Sequence, residues 1–500
     1  MKKMKKLVSL MLCLLLVVSM FAACKKDEKD TQTDTPAVED EADTTDPAAT
    51  TEPADTEAEP TEEAVSEEPF DLTLGIWPAD TLPDEITLHE GYVETFKQTH
   101  PNVNVVPAYY FYGVDTFVPL AESGGLPVIF HSYYTDTQKI IAGGYVADIT
   151  DILAERGWLD AVNPTIKDLM SKDGRTYGIP RDGYALGLMI NVDLFKQAGI
   201  VDAEGLPIYP KTWQELAETG KKIKDATGAA GLCLLAMDNA GGWHFSNIAW
   251  AFGATLTTEN ADGTFTCDLD SPEAIEAMEY VKSLKWEYDI LTADPTIENW
   301  GTGFTQIGTG AAAMYIGAND AVNQPTYTNG LPVEDFGLAP LPAGPRGDQY
   351  SLSGGTPYMF SKDATKEQIN AALDYITIMG KGPVIDEAGM RADAQYRVDS
   401  GIPVIYRFPC WVDQKIIDAE TAITDEYSNV DMRLYQDYFD TVKKPGNLRM
   451  EEPGNTQEMY RELTAVLQAV ITDENADVAA LMKTADENYQ QILDTTVNVD

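Results

Sequence analysis

Short apolar, β-rich runs alternate with amphipathic helical segments along most of residues 70 to 380. This alternation constrains the fold more than any other feature of the chain. Runs of this kind suit strands that are buried on both faces of a sheet. The clearest of them are LTLGIW (72–77), VNVVPAYY (103–110), PVIFHS (127–132), GLCLLAM (231–237) and AAMYIGA (312–318). The pattern predicts an α/β fold with largely parallel sheets.

The length of this part of the chain predicts more than one core. About 430 residues follow position 69, which is too many for a single hydrophobic core, so we expect two lobes. Two helix starts are well marked within them. Thr212 can cap a helix while Glu215, three residues on, reaches back to complete a capping box. Ser271 can cap the next helix, with Pro272 in the first helical position.

The N-terminal residues predict export and lipid attachment. Four lysines in MKKMKK precede a long uncharged apolar run, which is typical of a secretory signal peptide. The residues FAAC (21–24) resemble the lipobox of bacterial lipoproteins. That resemblance implies cleavage after residue 23 and lipidation of the Cys24 sulfur. The alternative is an ordinary signal peptide with a chance cysteine.

Residues 24 to 69 predict a disordered acidic spacer. After Cys24 they hold three lysines, 17 acidic residues and no aromatic residue, so they cannot bury enough apolar surface to become ordered. When the charges of residues 1 to 69 are removed from the total of −46, residues 70 to 500 carry −36. That charge disfavours nucleic acid and anionic lipid headgroups as partners. A neutral or cationic small molecule is the better fit.

Motifs for a metal, a cofactor or catalysis are missing from the sequence. The four histidines show no His-Glu-x-x-His spacing, and there is no Gly-x-Ser-x-Gly elbow, phosphate loop or dinucleotide fingerprint. ADGTFTCDLD lacks the full calcium-loop pattern and predicts a hairpin turn. We therefore predict no catalytic residue, no metal and no cofactor. A secreted glycoside hydrolase that uses paired carboxylates is the alternative from another class.

The remaining cysteines give no disulfide framework. Cys233, Cys267 and Cys410 are far apart and odd in number. One bridge can form among them, but buried free thiols are the favoured interpretation.

Several motifs occur in the order that is typical of one protein family. They are TFKQTHPNVNV (95–105), GGLPVIFHSYYTDTQKIIAGGYVADIT (124–150), DGRTYGIPRDGYALGLMINVDLFKQAGI (173–200), PKTWQEL (210–216), ADGTFTCDLDSPEAIEAM (261–278), TGAAAMYIGAND (309–320) and FGLAPLPAGPRG (336–347). Together they resemble family 1 extracellular solute-binding proteins, the sugar-binding lipoproteins of ABC importers. Each motif alone is weak, whereas their order is specific.

The resemblance implies two α/β lobes joined by a hinge, with a ligand cleft between them. The chain is expected to cross between the lobes near Gly178 to Tyr184, near Ser351 to Tyr358 and around residues 395 to 405. The predicted divisions are a signal peptide at 1–23, the lipidated cysteine and spacer at 24–69, an N-terminal lobe at 70–182 plus 351–395, and a C-terminal lobe at 183–350 plus 396–500.

A cleft for a sugar combines aromatic rings, which stack on C–H faces, with polar groups that pair with hydroxyls. In sugar-binding relatives an aromatic residue stacks on the ligand at the place that matches Trp243; burial in the core of a lobe is the alternative. Trp77, at the end of the first strand, has the same two interpretations. Of Tyr133 and Tyr134, one should face the cleft, because successive strand residues point in opposite directions. Trp250 is expected to pack in the core.

Polar candidates complete the predicted site. Asn319 and Asp320 stand where many relatives place a tryptophan, a departure that suits hydroxyl or amine recognition; a helix cap is the alternative. Gly354 and Gly355 suit a hinge or a plain turn. The full set of predicted ligand-binding residues is Trp77, Tyr133, Tyr134, Arg181, Asp182, Tyr184, Trp243, His244, Asn319, Asp320, Gly354 and Gly355.

The sequence therefore predicts a receptor that is not an enzyme. It would be the substrate-binding component of an ABC importer, capturing a mono- or oligosaccharide by lobe closure and delivering it to the permease subunits in the membrane. It is expected to be a monomer, attached through Cys24 to the outer face of the bacterial cytoplasmic membrane.

Overall fold

The computed structural model describes residues 68 to 498. The predicted signal peptide, Cys24 and the spacer as far as residue 67 lie outside the described residues. Between residues 68 and 498, no helix has both the length and the apolar character that a membrane crossing requires.

All five strands predicted from the sequence are present. The one predicted at 231–237 is shorter than expected, because it ends at Cys233 and residues 234 to 237 are not part of it. In the described residues the strands are β1 (Phe70–Trp77), β2 (Val103–Tyr109), β3 (Ile129–His131), β4 (Ser171–Lys172), β5 (Arg175–Thr176), β6 (Gly178–Pro180), β7 (Tyr184–Asn191), β8 (Ala230–Cys233), β9 (Thr257–Glu259), β10 (Phe265–Cys267), β11 (Ala312–Ala318), β12 (Phe336–Ala339), β13 (Ser351–Gly354), β14 (Pro357–Phe360) and β15 (Leu448–Met450).

Helices separate most of these strands. In the described residues they are α1 (Pro83–Thr99), α2 (Phe117–Glu122), α3 (Thr137–Ala142), α4 (Thr150–Glu155), α5 (Pro164–Leu169), α6 (Val192–Gln197), α7 (Trp213–Thr227), α8 (Ala240–Ala251), α9 (Pro272–Trp286), α10 (Trp300–Gly308), α11 (Lys366–Ile378), α12 (Glu387–Asp399), α13 (Gln414–Tyr427), α14 (Gln436–Val442), α15 (Thr456–Thr472) and α16 (Val478–Thr496).

The first sheet has the strand order β2-β1-β3-β14-β6. β1 pairs in parallel with β2 and β3, while β14 runs antiparallel to β3 and β6. Helix α11 covers β1 and packs against α1. Leu72, Leu74 and Phe360 are fully buried in the core of this sheet. This arrangement forms one lobe of the α/β fold.

The second sheet has the strand order β15-β13-β7-β11-β8, and β12 also pairs with β7. β8 is parallel to β11 and β15 to β13, whereas β7 is antiparallel to β11, β12 and β13. All seven residues of β11 are buried, as expected of a strand that is covered on both faces. Helices α8, α9 and α15 pack against one another in the core of this lobe.

Both sheets are mixed, so the expectation of largely parallel sheets was wrong. The reason lies in the route of the chain. β1, β3 and β11 end at the seam where the two sheets meet, whereas β7 and β14 receive the chain from the other sheet and start there. Within one sheet, a strand that starts at the seam must run antiparallel to a strand that ends there.

The chain changes sheet at residues 181 to 183, between β6 and β7, and again at residues 355 and 356, between β13 and β14. Later residues contact both lobes. Ile405 packs in a cluster with β11 and β12, while Trp411 packs on the core of the first sheet. The lobe boundaries given above stay a prediction. Since β13 (Ser351–Gly354) belongs to the second sheet, the second passage between the sheets begins after Gly354 rather than at residue 351.

The predicted helix caps are partly present. Thr212 Oγ1 accepts a hydrogen bond from the Glu215 N–H at 3.1 Å, as expected. The Glu215 carboxylate instead accepts from the Lys211 N–H at 2.7 Å, one residue earlier than a capping box requires. Ser271 precedes α9, but its hydroxyl donates to the Asp268 carbonyl at 3.0 Å and does not cap the helix. The reciprocal box at Glu215 and the cap at Ser271 were therefore wrong.

Other local predictions hold. β9 and β10 form an antiparallel hairpin around the predicted turn. Cys233, Cys267 and Cys410 are free thiols, and the first two are buried. Trp250 is fully buried, and its Nε1 donates to Glu452 Oε1 at 2.6 Å, which confirms a packing role.

The two glycines before Trp243 allow α8 and α15 to meet backbone to backbone. A β-carbon on Gly242 would lie 2.4 Å from the Cα and the carbonyl oxygen of Tyr460. The Gly242 N–H donates to Thr464 Oγ1 at 2.8 Å. No larger residue fits this contact without moving the helices apart. The glycine pair therefore holds Trp243 on α8 and Tyr460 on α15 at one fixed spacing.

We expect Gly242→Ala to lower the free energy of unfolding by about 1–3 kcal/mol, because the added methyl group must displace the Tyr460 backbone. Gly91→Ala is the matched control. It lies inside α1 with no atom within 4 Å of its β-carbon, so it should raise stability by roughly 0.5–1 kcal/mol. Urea unfolding followed by tryptophan fluorescence measures both. Unchanged stability of Gly242→Ala would contradict the backbone contact.

Candidate ligand-binding cleft

The two passages between the sheets are fastened to each other at the seam. The Asp182 carboxylate accepts hydrogen bonds from the Thr356 N–H and hydroxyl, both at 2.8 Å. The Tyr134 hydroxyl donates to the Asp182 carbonyl at 3.1 Å, and the Tyr134 N–H donates to the Gly355 carbonyl at 3.3 Å. Two predicted ligand residues, Asp182 and Tyr134, thus hold the hinge together.

Glycines are required where these passages touch. Gly355 has φ 147°, and a β-carbon there would lie 2.6 Å from the Asp182 carbonyl oxygen. A β-carbon on Gly354 would lie 2.5 Å from the Tyr184 hydroxyl. One on Gly183 would lie 2.7 Å from the Phe408 ring. The close approach accounts for the glycines that the sequence placed at the hinge.

Two cationic side chains stand at the seam. Arg181 Nη1 lies 3.5 Å from Asp182 Oδ2 and donates to Thr356 Oγ1 at 3.3 Å. Lys381 follows α11 and is exposed, and its side chain forms no hydrogen bond or ion pair with the described residues. Enclosure by protein lowers the pKa of Lys381, and the nearby Arg181 lowers it further. The seam therefore offers positive charge that is only partly neutralised.

Asp320 stands at the end of β11, on the side of the second sheet. Solvent reaches its side chain, yet protein surrounds it on most sides. This partial desolvation raises the pKa of Asp320 to about 7, and the Asp182 carboxylate raises it further. Apart from a hydrogen bond with its own backbone, its carboxylate has no hydrogen-bond or ion-pair partner in the described part of the chain, so it is available to a ligand.

Two predicted site residues are committed to the protein itself. Asn319 is buried, and its Oδ1 accepts from the Ala185 N–H at 3.0 Å, which fastens the start of β7 to the end of β11. His244 is fully buried, and its Nδ1 accepts from the Leu235 N–H at 3.3 Å. Burial lowers the pKa of His244 to about 3. The structure places both in the core rather than at the cleft surface.

An aromatic wall stands on the side of the second sheet. The half-buried rings of Tyr184 and Trp243 are nearly perpendicular, with centroids 6.2 Å apart. Glu451 follows β15, and its Oε1 accepts from the Tyr460 hydroxyl at 2.9 Å. The same carboxylate is close enough to Gly354 that a β-carbon there would lie 3.0 Å from Oε2. Aromatic faces and a carboxylate thus share one end of the seam.

Burial raises the pKa of Glu451 to about 8. The hydrogen bond from Tyr460 lowers it, and the negative charge of Asp136, from the other lobe, raises it. Glu451 nevertheless keeps part of its surface exposed. A half-buried acid next to aromatic rings is a common feature of recognition sites.

The first sheet contributes a second wall. Tyr133 keeps part of its ring exposed and lies within electrostatic reach of Glu451, while Tyr134 is buried. His131 ends β3, and its ring centroid lies 6.4 Å from that of Phe111, which is 67% exposed. Burial lowers the pKa of His131 to about 4, and Arg181 lowers it further.

Trp77 ends β1 and is partly exposed. It packs edge-on against His89 of α1, with ring centroids 5.3 Å apart, and borders the core of the first sheet. Of its two interpretations, core packing matches the observed contacts.

Sequence reasoning missed several residues of the seam, namely His131, Lys381, Glu451 and Tyr460. His131 could have been found, because it ends a predicted strand at the edge where cleft residues collect. No local pattern marks Glu451. It reaches the seam because β15 pairs with β13 (Ser351↔Leu448), a contact that only the folded sheet provides. Among residues 68 to 498 no group of three or more metal-ligating side chains is assembled.

Two lobes joined by a short, glycine-lined hinge, with exposed polar and aromatic groups at their seam, define a two-lobe binding protein. Residues 81–380 match the family model of the bacterial extracellular solute-binding protein. The chain belongs to this family.

Solved structures share the fold. Maltose-bound MalE3 of T. maritima superposes with a TM-score of 0.62 at 18% identity, covering 84% of this chain and 99% of that one. The GacH receptor of Streptomyces glaucescens, studied with acarbose, gives 0.65 at 17% identity over 85% and 98%. UgpB of Mycobacterium tuberculosis in complex with glycerophosphocholine gives 0.63 at 18% identity over 85% and 98%.

Sequence relatives match a shorter region. A protein of Brucella abortus described as a binding protein is 29% identical over 209 residues, 41% of this chain and 47% of the relative. The sn-glycerol-3-phosphate-binding periplasmic protein UgpB of Escherichia coli K12 is 24% identical over 214 residues, 40% of this chain and 47% of the relative. The chain thus spans about half the length of the curated relatives it matches.

The raised pKa of Asp320 predicts a pH dependence of stability. In the unfolded chain this aspartate loses its proton near pH 3.8, whereas the folded protein retains it to about pH 7. Stability should therefore fall as the pH rises from about 4 to 7. Asp320→Asn removes this loss, although Arg181 and Lys381 nearby offset part of it. We expect a thermal midpoint above that of the wild type at pH 8 and equal to it near pH 4.

Asp160→Asn, an exposed position outside the seam, is the control and should give the same midpoint as the wild type at every pH. Differential scanning fluorimetry across pH 4 to 8 measures these midpoints. An Asp320→Asn curve parallel to that of the wild type would contradict the enclosure of this carboxylate.

Proposed function

We propose that the protein is the extracytoplasmic substrate-binding component of an ABC importer and that it captures a carbohydrate. The observation that carries the proposal is the seam, where each sheet supplies half-exposed aromatic rings and polar groups with unused hydrogen-bonding capacity. Sugars need both kinds of contact, since their C–H faces stack on rings and their hydroxyls require donors and acceptors. The ligands named for its relatives, maltose and acarbose among them, support this substrate class.

Binding would proceed by closure of the two lobes. Tyr184 and Trp243 would offer ring faces and edges to the sugar, while Asp320 and Arg181 would pair with its hydroxyls. A ligand that touches both lobes stabilises the closed form, because it gains contacts there that the open form lacks. The hydrogen bonds of Asp182 and Tyr134 lie at the pivot, so they can persist during such a motion.

The N-terminal sequence supports a location on the outer face of the membrane. In this proposal the signal peptide is removed, Cys24 is lipidated, and the acidic spacer tethers a monomeric receptor to the outer face of the cytoplasmic membrane. The closed form would deliver the sugar, chemically unchanged, to the permease subunits.

A ligand panel tests the proposal directly. The purified protein is heated with monosaccharides, α- and β-linked oligosaccharides, amino acids and polyamines, and the thermal midpoint is recorded. A ligand at 100 times its Kd adds about 2.7 kcal/mol, which should raise the midpoint visibly. The bound sugar is then recovered and analysed by mass spectrometry. No shift with any carbohydrate, or recovery of a cleaved product, would refute a carbohydrate receptor.

Trp243→Ala tests the aromatic wall. We expect binding of the sugar found in that panel to weaken at least tenfold, about 1.4 kcal/mol, because a stacking surface is lost. Trp286→Ala is the control, since Trp286 lies on α9 outside the seam and is 38% exposed. Calorimetry measures both affinities. If Trp243→Ala remains folded and binds as tightly as Trp286→Ala, Trp243 belongs to the lobe core only.

A further inference from the structure

Glu451 is a carboxylate without a counter-charge. Only its Oε1 is engaged, by the Tyr460 hydroxyl at 2.9 Å, and none of the described residues donates a hydrogen bond to Oε2. No lysine or arginine in residues 68 to 498 forms an ion pair with it. An enclosed acid in this position gains strongly from a cation, because protein replaces much of the water that would otherwise stabilise its charge.

A second acid lies near it from the other lobe. Asp136 is 2% exposed, and its Oδ2 has no hydrogen-bond partner among the described residues. It is within electrostatic reach of Glu451 and of Tyr133. Burial raises the pKa of Asp136, while Lys139 and a hydrogen bond with Tyr112 lower it; Lys139 forms no ion pair with it within the described range. The two lobes thus bring two acids without a cationic partner to the same end of the seam, and a bound cation would favour their ionised forms.

Aromatic rings surround this end. A β-carbon on Gly354 would lie 2.5 Å from the Tyr184 hydroxyl and 3.0 Å from Glu451 Oε2, so these two side chains are neighbours. The ring of Trp243 is perpendicular to that of Tyr184, and Tyr133 lies within electrostatic reach of Glu451 from the first sheet. All three rings are partly exposed. The faces of such rings carry negative potential and attract cations, most strongly where water is excluded.

We propose that Glu451, Tyr184, Trp243 and Tyr133 form a subsite for an ammonium group, so that the ligand is a carbohydrate carrying a basic amine. This inference rests on the proposed function and narrows its substrate class. The cations Arg181 and Lys381 lie near Asp182, and within the described residues neither forms an ion pair with Glu451. The negative charge of −36 on residues 70 to 500 also favours the approach of a cation.

Matched sugar pairs test the subsite in the wild-type protein. Glucosamine, galactosamine, mannosamine and the β-1,4-linked glucosamine disaccharide are each titrated against the corresponding glucose, galactose, mannose and cellobiose by calorimetry. We expect the amine member to bind at least tenfold more tightly wherever a pair binds, equivalent to about 1.4 kcal/mol. Equal affinity within every binding pair would overturn the subsite while leaving the carbohydrate receptor intact.

Glu451→Gln tests the residue itself. The amide keeps the size of the side chain and an acceptor for the Tyr460 hydroxyl but removes the charge. We expect the preference for the amine, measured as the ratio of the two affinities within each pair, to fall below threefold. Glu259→Gln, an exposed change in β9, is the control and should keep the full preference. A full preference in Glu451→Gln would overturn the assignment.

Choline tests the cation subsite in the absence of a sugar. It carries the cation without the carbohydrate, and quenching of tryptophan fluorescence reports its approach to Trp243. If no carbohydrate of the ligand panel binds, the carbohydrate proposal fails. Choline binding in the wild type that is lost in Glu451→Gln then supports the cation subsite alone. The absence of choline binding, together with no amine preference, would overturn it.

Discussion

The close approach of three chain segments at the seam is the constraint on which the rest of the structure depends. Gly183, Gly355 and Phe408 come into van der Waals contact there, at a point where β-carbons on the glycines would overlap neighbouring atoms. The Asp182 carboxylate accepts hydrogen bonds from Thr356, which lies on the second passage between the sheets. The chain passages between the two sheets are therefore fixed against each other at this point, and the walls of the cleft begin within a few residues of it.

The same geometry separates polar groups that hold the fold from those that are free to recognise a ligand. Enclosed polar groups are costly unless they are paired, and Asn319, His244 and Asp182 each have a partner within the protein. Asp320 and Lys381 have none among the described residues, and both remain open to water. Polar groups that are open to water and hold no protein partner can exchange their water for a ligand, so this seam is suited to recognition.

The sequence predicted what is local and missed what is brought together over long distances. Strands such as β11 and the cap at Thr212 follow from short patterns, and Tyr184 and Gly355 could be assigned to the hinge because they adjoin the crossings. The mixed direction of the sheets could not be read from the strands, since it depends on which strands start at the seam. Glu451 was missed for a related reason: its position is determined by the pairing of β15 with β13, which no periodicity in the intervening residues predicts.

The glycine pair before Trp243 connects core packing to recognition. Gly242 allows the backbone of α8 to rest on the backbone of α15 at Tyr460, so the two helices move as one body. Trp243 on α8 forms part of the aromatic wall, and Tyr460 on α15 orients Glu451 through its hydroxyl. A ring and a carboxylate that come from distant parts of the sequence thus keep a fixed relation on one lobe. Tyr133 and Asp136 belong to the other lobe, and Gln457 of α15 donates a hydrogen bond to Thr135 between them at 3.0 Å. The subsite therefore depends on contacts from both lobes.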